Sequence, residues 1–109
     1  MVTTYFLDKS VYFLNLDGTL LNEFRTDGRV VSSPVIMPDG TIVIGSYDNN
    51  LYFFDRDGSY LDKYEANGNI FSTPVVVEPR TLVSVTTKGE VYFLEVTRQD
   101  RDFMTDTGR

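Results

Sequence analysis

Val11-Tyr12-Phe13-Leu14, Leu51-Tyr52-Phe53-Phe54 and Val91-Tyr92-Phe93-Leu94 stand on one grid, forty residues apart. A unit of that length cannot bury its own apolar face and has to stack on copies of itself, so the period sets the architecture ahead of any local reading. Laid over residues 51–90, residues 11–50 match without a gap at Tyr12/Tyr52, Phe13/Phe53, Asp17/Asp57, Gly18/Gly58, Leu21/Leu61, Gly28/Gly68, Ser32/Ser72, Pro34/Pro74, Val35/Val75, Thr41/Thr81 and Val43/Val83. Other positions keep their type: Phe24 over Tyr64, Val30 over Ile70, Ser33 over Thr73, Ile42 over Leu82.

Within each unit, short runs rich in Val, Ile, Tyr and Phe alternate with turn chemistry such as Asp17-Gly18, Asp27-Gly28, Asp39-Gly40, Asp57-Gly58 and Asn67-Gly68. Asp-Gly and Asn-Gly supply the positive backbone dihedral that tight hairpins need. No window sustains apolar spacing of three and four, so no helix is predicted. The fold class is all-β, with short antiparallel strands. In the middle unit the strands are predicted at residues 30–37, 41–47, 50–55 and 60–65. Four meandering strands in a repeat of this length describe a β-propeller blade. Ser32-Ser33-Pro34, and by equivalence Ser72-Thr73-Pro74, combine small residues with a proline. That suits an innermost strand beside a central channel, where one side of the ladder is unpaired. The Leu20 to Arg25 strand carries charges at alternate positions and is placed outermost.

At this point Ser32-Ser33-Pro34-Val35, Asp39-Gly40-Thr41-Ile42-Val43-Ile44-Gly45-Ser46, Asp48, Leu51-Tyr52-Phe53-Phe54-Asp55 and Asp57-Gly58 resemble the pyrroloquinoline quinone (PQQ) repeat. The resemblance extends from Val2 to Val96. That repeat builds quinoprotein dehydrogenases and also a non-catalytic propeller lipoprotein that helps assemble bacterial outer-membrane proteins, so it implies a propeller and, for the latter branch, an extracytoplasmic setting. In the quinoprotein version a Trp four residues after the turn glycine docks between blades; those positions here hold Asn22 and Asp62. The grip between blades is then expected from Leu21, Phe24, Leu61 and Tyr64, and the chain looks closer to the scaffold branch than to the enzymes.

Counting predicted strands gives a partial blade at residues 1–25, a full blade at 30–65 and a partial blade at 70–97, with a charged tail over 98–109. About two and a half blades fall short of the four to eight of closed propellers. An open arc leaves strand edges that template further pairing. The expectation is self-association into a closed propeller, or neighbouring blades in a longer chain. In the tail, Phe103-Met104 is a candidate short outer strand, and residues 105–109 read as unstructured.

A net charge of −6, with ten basic residues scattered among sixteen acidic ones, argues against a nucleic-acid partner. No run of about twenty apolar residues offers a membrane span, and residues 1–8 lack the basic start and apolar core of a secretory signal. The absence of both Cys and His removes thiol nucleophiles, disulfides, soft metal sites and His-based acid/base chemistry. Carboxylates remain. Asp55-Arg56-Asp57-Gly58 has part of a calcium-loop spacing but lacks the third ligand and the distant Glu, so it reads as a turn. Asp48, Asn49 and Asn50 form a candidate ligand-facing loop, with ordinary hairpin chemistry as the competing reading. The aromatics at Tyr5, Phe6, Tyr12, Phe13, Tyr52, Phe53, Phe54, Tyr92 and Phe93 recur at equivalent strand positions, the pattern of packing between blades rather than of exposed stacking platforms. Alternation places Tyr52 and Phe54 on one face and Phe53 on the other.

The function expected from these readings is a non-catalytic protein-interaction scaffold with a protein or peptide partner and no cofactor. The alternatives are a fragment of a PQQ-dependent quinoprotein dehydrogenase and a carbohydrate- or cell-surface-binding propeller. No catalytic, cofactor-binding or metal-ligating residue is assigned.

Overall fold

Asp-Gly turns at Gly18, Gly40 and Gly58, all at positive φ, cut the chain into strands. Asp27-Gly28 and Asn67-Gly68, expected as hairpin turns of the same kind, lack positive φ and lie in the linkers that pass from one sheet to the next. The structure, a computed structural model, describes residues 3–7, 9–30, 32–97 and 104–106. Among them the regular elements are all strands: β1 (Thr3–Leu7), β2 (Ser10–Leu14), β3 (Leu20–Arg25), β4 (Val35–Ile36), β5 (Ile42–Gly45), β6 (Asn50–Phe54), β7 (Tyr60–Glu65), β8 (Val75–Glu78), β9 (Thr81–Val85), β10 (Val91–Val96) and β11 (Met104–Asp106). Every pairing is antiparallel. The strands meander in order into three sheets, β1-β2-β3, β4-β5-β6-β7 and β8-β9-β10-β11.

The forty-residue grid survives in atomic detail. Asp17 and Asp57 each fold their carboxylate back onto the amide two residues on, that of Thr19 or Ser59 at 3.0 Å, closing equivalent turns. Hydrogen bonds from the Thr19 hydroxyl at Asp17 and the Ser59 side chain at Asp57, followed by these amide bonds, favour the charged form and hold both carboxyls below the usual aspartate value. The ladder slips by one residue at Phe13/Leu14 in the first sheet and at Phe53/Phe54 in the second, a matching bulge just before each turn. The linkers between sheets are pinned alike, with the Tyr47 amide donating to Arg29 O at 2.8 Å and the Thr87 amide to Asn69 O at 2.9 Å.

Two hydrophobic seams hold the sheets face to face. The first joins Val11 and Phe13 to Val30, Ile42, Ile44, Tyr52 and Phe54, with Phe24 packed against it. The second joins Met37, Val43, Leu51 and Phe53 to Ile70, Leu82, Leu94 and Val96, with Leu61, Tyr64 and Tyr92 at its margin. Tyr52 and Phe54 therefore face one neighbour and Phe53 the other, as strand alternation requires. The stack measures 41 × 27 × 23 Å.

Three further sequence expectations need correction. The strand predicted over residues 30–37 pairs only at Val35–Ile36. Pro34 has no N–H to donate, the Ser32 hydroxyl bonds Gly45 O at 3.3 Å, and the Ser33 amide turns to Thr73 Oγ1 at 3.0 Å. Leu21, expected in the grip between blades, is 40% exposed, whereas Phe24, Leu61 and Tyr64 do pack into the seams. In the segment read as a tail, Met104–Asp106 pairs with Leu94–Val96, so Thr105 and Asp106 are in a strand. The outer edge of β10 offers unpaired ladder groups, and a nearby segment satisfies them even without the turn glycine of the other units. Residues 98–103 and 107–109 lie outside the described residues.

Candidate functional site

The β5–β6 turn places Asp48, Asn49 and Asn50 at one end of the middle sheet. Asn49 adopts φ 77°, the left-handed conformation that Gly89 supplies at the equivalent turn with φ 81°. This is the backbone reason for an Asn at that position. Asp48 is half-buried and Asn50 is 8% exposed. Asp48 Oδ1 accepts the Asn50 amide at 3.0 Å, and Oδ2 accepts the Asp27 amide at 3.1 Å and the Tyr52 hydroxyl. Asn50 Nδ2 in turn donates to that hydroxyl at 3.2 Å. Burial, followed by the bond to Asp48, pushes the Tyr52 phenol well above the ordinary tyrosine value, so Tyr52 stays a neutral donor. The cluster binds linker, turn and strand together, and Asn49 is its exposed member.

Ser32, Ser33 and Pro34 lead into β4 as Ser72, Thr73 and Pro74 lead into β8. Ser32 is buried and Ser33 exposed, Ser72 is half-buried and Thr73 exposed, and Pro34 is half-buried where Pro74 is buried. The bond from the Ser33 amide to Thr73 Oγ1 joins identical grid positions of adjacent units. The two segments therefore lie side by side.

Sequence reasoning missed the role of Asn22. Read as the loss of a docking side chain, it instead sends Nδ2 to Gly58 O in the next sheet's turn at 2.7 Å. Gly58 is also a point of close approach between the two sheets. A Cβ there would lie 2.8 Å from Phe13 Cγ, and φ is +86°. The equivalent Gly18, at φ +89°, has nothing within 4 Å of such a Cβ. The signal available in the sequence was the pairing of an amide donor at position 22 with a grid turn 36 residues later, the repeat of the Asp17-Gly18 turn.

The third sheet's outward face differs from its counterparts. Position 11/51/91 is fully buried at Val11 and Leu51 but 53% exposed at Val91. Val75 and Val77 are 58% and 51% exposed, and register aligns Val75 with Val83 and Val91 with Val85 on that face. The described residues contain no group of three or more His, Cys, Asp or Glu that could hold a metal ion, and the carboxylates of Asp17, Asp48 and Asp57 are engaged in turn bonds. This donor set does not fit a quinone and its metal. No helix among the described residues is long and apolar enough to cross a membrane.

Stacked antiparallel meanders on a forty-residue period define a run of β-propeller blades. The structure of BamB from Moraxella catarrhalis superposes at a TM-score of 0.69 and 14% identity, over 87% of this chain and 28% of that one. A europium-containing methanol dehydrogenase superposes at a TM-score of 0.55 and 18% identity, over 79% of this chain and 14% of that one. At such identities the likeness establishes the fold, with the closer structural superposition of the two given by BamB. The chain spans under a third of either protein's length. No family model matches the sequence, and no curated protein matches it.

Proposed function

We propose that this chain is a non-catalytic stretch of β-propeller acting as a protein-interaction scaffold. The observation that carries the reading is how the chemistry is distributed. The polar turn at Asp48, Asn50 and Tyr52 is satisfied internally, while the exposed apolar groups include Ile36, Phe71, Val75 and Val77 on or beside the first strands of two sheets. Both β4 and β8 are edge strands. An edge strand flanked by apolar side chains is what an extended protein segment needs in order to add itself to a sheet. The greater likeness to BamB supports the scaffold branch of the repeat's resemblance.

In this reading residues 1–97 form the propeller repeats, with β11 added to the third. Ser32, Ser33, Pro34, Ser72, Thr73 and Pro74 line the inner channel. The contact between Ser33 and Thr73 supports that placement, because equivalent inner segments of neighbouring blades converge on a propeller axis. The test is to titrate the chain with extended peptides of alternating apolar residues while following its backbone amides by NMR. Shifts concentrated along Val75–Glu78, abolished by Val77→Lys, are the expected result. No binding, or dye-linked dehydrogenase activity on adding PQQ and calcium, would overturn the proposal.

A further inference from the structure

The repeat states what belongs on the uncovered face of the third sheet. On the first and second sheets the same grid positions are sealed by the following sheet: Val11 and Phe13 by Ile42, Ile44 and Phe54, and Val43, Leu51 and Phe53 by Leu82, Leu94 and Val96. The third sheet presents Val75 and Val91, both more than half exposed, with half-buried Val83 between β8 and β10 in register. The complementary surface exists at the other end of the molecule. Leu14 is half-buried, whereas Phe54 and Leu94 at its grid position are completely buried. Gly18 has open space where Gly58 is covered by Phe13.

We infer that the third sheet of one copy docks on the first sheet of a second copy, head to tail, in the geometry of the two internal seams. Val75, Val83 and Val91 meet Tyr12 and Leu14 of the second copy. Phe93, at the grid position of Phe13, comes to lie over Gly18. The interface is heterologous, since one surface differs from the other. Such contacts extend into open assemblies unless the rotation closes them. Two copies carry six of these sheets, within the four to eight that close a propeller, so the expected product is a two-copy ring. A second copy is favoured as the occupant because this chain holds both halves of the contact, the apolar face and the open glycine turn.

The experiment measures the mass of the 109-residue chain by sedimentation and light scattering at micromolar concentration, with circular dichroism confirming the fold of every variant. The wild type is expected at twice the monomer mass. Val91→Glu on one face should weaken association by about tenfold or more, and Leu14→Glu on the other should do the same. Lys63→Gln on β7, the exposed outer strand of the middle sheet and outside both faces, should leave the mass unchanged. Mixing the Val91 and Leu14 variants restores one intact contact in a head-to-tail assembly, so the mixture should form a capped dimer that neither variant forms alone. A monomeric wild type would assign the face to some other blade or partner and overturn the inference. So would an unchanged mass for Val91→Glu, or a mixture that stays monomeric. Peptide binding at β8 is read separately, so failure here leaves the scaffold reading standing.

Discussion

Between the first and second sheets the chain packs rings on rings; between the second and third it packs mostly aliphatic chains. Phe13 lies 4.8 Å from Phe54, and Phe24 lies 5.1 Å from Phe54 and stacks on Tyr60 at 5.2 Å with planes 4° apart. Across the second seam Val43, Leu51 and Phe53 meet Ile70, Leu82, Leu94 and Val96, with Tyr64 and Tyr92 edge to face at 5.6 Å. Grid position 54/94 changes from Phe to Leu and position 44/84 from Ile to Ser, yet Phe54 and Leu94 are equally buried. The period therefore dictates which face a residue serves, and the seam accepts any apolar set whose combined volume fills it.

The polar fastenings diverge in the same way. Asn22 reaches across the first seam with an N–H, but Asp62 at its grid position is a carboxylate with no N–H to donate. At the turns, Asp48, Asn50 and Tyr52 are replaced by Lys88, Glu90 and Tyr92. There the tyrosine hydroxyl itself accepts the linker amide, that of Asn67 at 3.0 Å, and donates to Glu90 Oε1 at 3.3 Å. One linker is tied through a carboxylate and the other directly through a phenol.

Truncation separates the seams most strongly. Phe54→Ala should lower unfolding free energy by about 3–5 kcal/mol and Leu94→Ala by about 2–4 kcal/mol, measured by urea titration. A larger loss for Leu94 would invert the comparison. Tyr52→Phe comes next, at about 1–2 kcal/mol near neutral pH, because Asp48 and Asn50 lose a shared partner. Its pH dependence has a definite sign. The folded-state value of Tyr52 is raised, so its contribution is complete below the ordinary tyrosine range of about 10 and is lost as pH climbs above it. Burial raises Tyr60 in the same direction, with nearby Asp62 adding to it. Stability of the wild type should thus fall more steeply in alkali than that of Tyr52→Phe, and parallel curves would remove Tyr52 from the account.

Smaller effects sharpen the polar side. Asn22→Ala should cost about 0.5–1.5 kcal/mol, and Asn22→Asp more, since a carboxylate would then face the Gly58 carbonyl. A neutral Asp variant would show that the amide bond contributes nothing. Ser84 is expected to move the other way. Its Oγ is buried without a hydrogen-bond partner among the described residues, so Ser84→Ala should be neutral or stabilising by up to about 1 kcal/mol in thermal unfolding. Destabilisation there would mean that the hydroxyl is satisfied.

Much of this was legible beforehand because strands repeat every two residues and turns need particular dihedrals. Phe53 against Phe54, Phe24 and Tyr64 in the seams, and the Asp-Gly turns at Gly18, Gly40 and Gly58 follow from such local rules. The short β4 was not legible, because the serines before it gave up the ladder for partners elsewhere. Nor was β11, whose pairing depends on an exposed edge at β10 rather than on its own turn chemistry. In the candidate loop, the sequence identified Asp48, Asn49 and Asn50 as turn residues but did not reveal that Tyr52 and the Asp27 amide occupy the carboxylate.

The sequence by itself determined the period, the antiparallel meanders and the two faces of each sheet, since alternation and turn geometry act within a few residues of one another. The tertiary structure alone decided that Asn22 fastens to Gly58 and that Ser33 meets Thr73, contacts spanning 36 and 40 residues. It also decided that Gly58 is covered where Gly18 is open. Partners so far apart in the chain are chosen by how the sheets stack, and that geometry exists only once the apolar seams have closed.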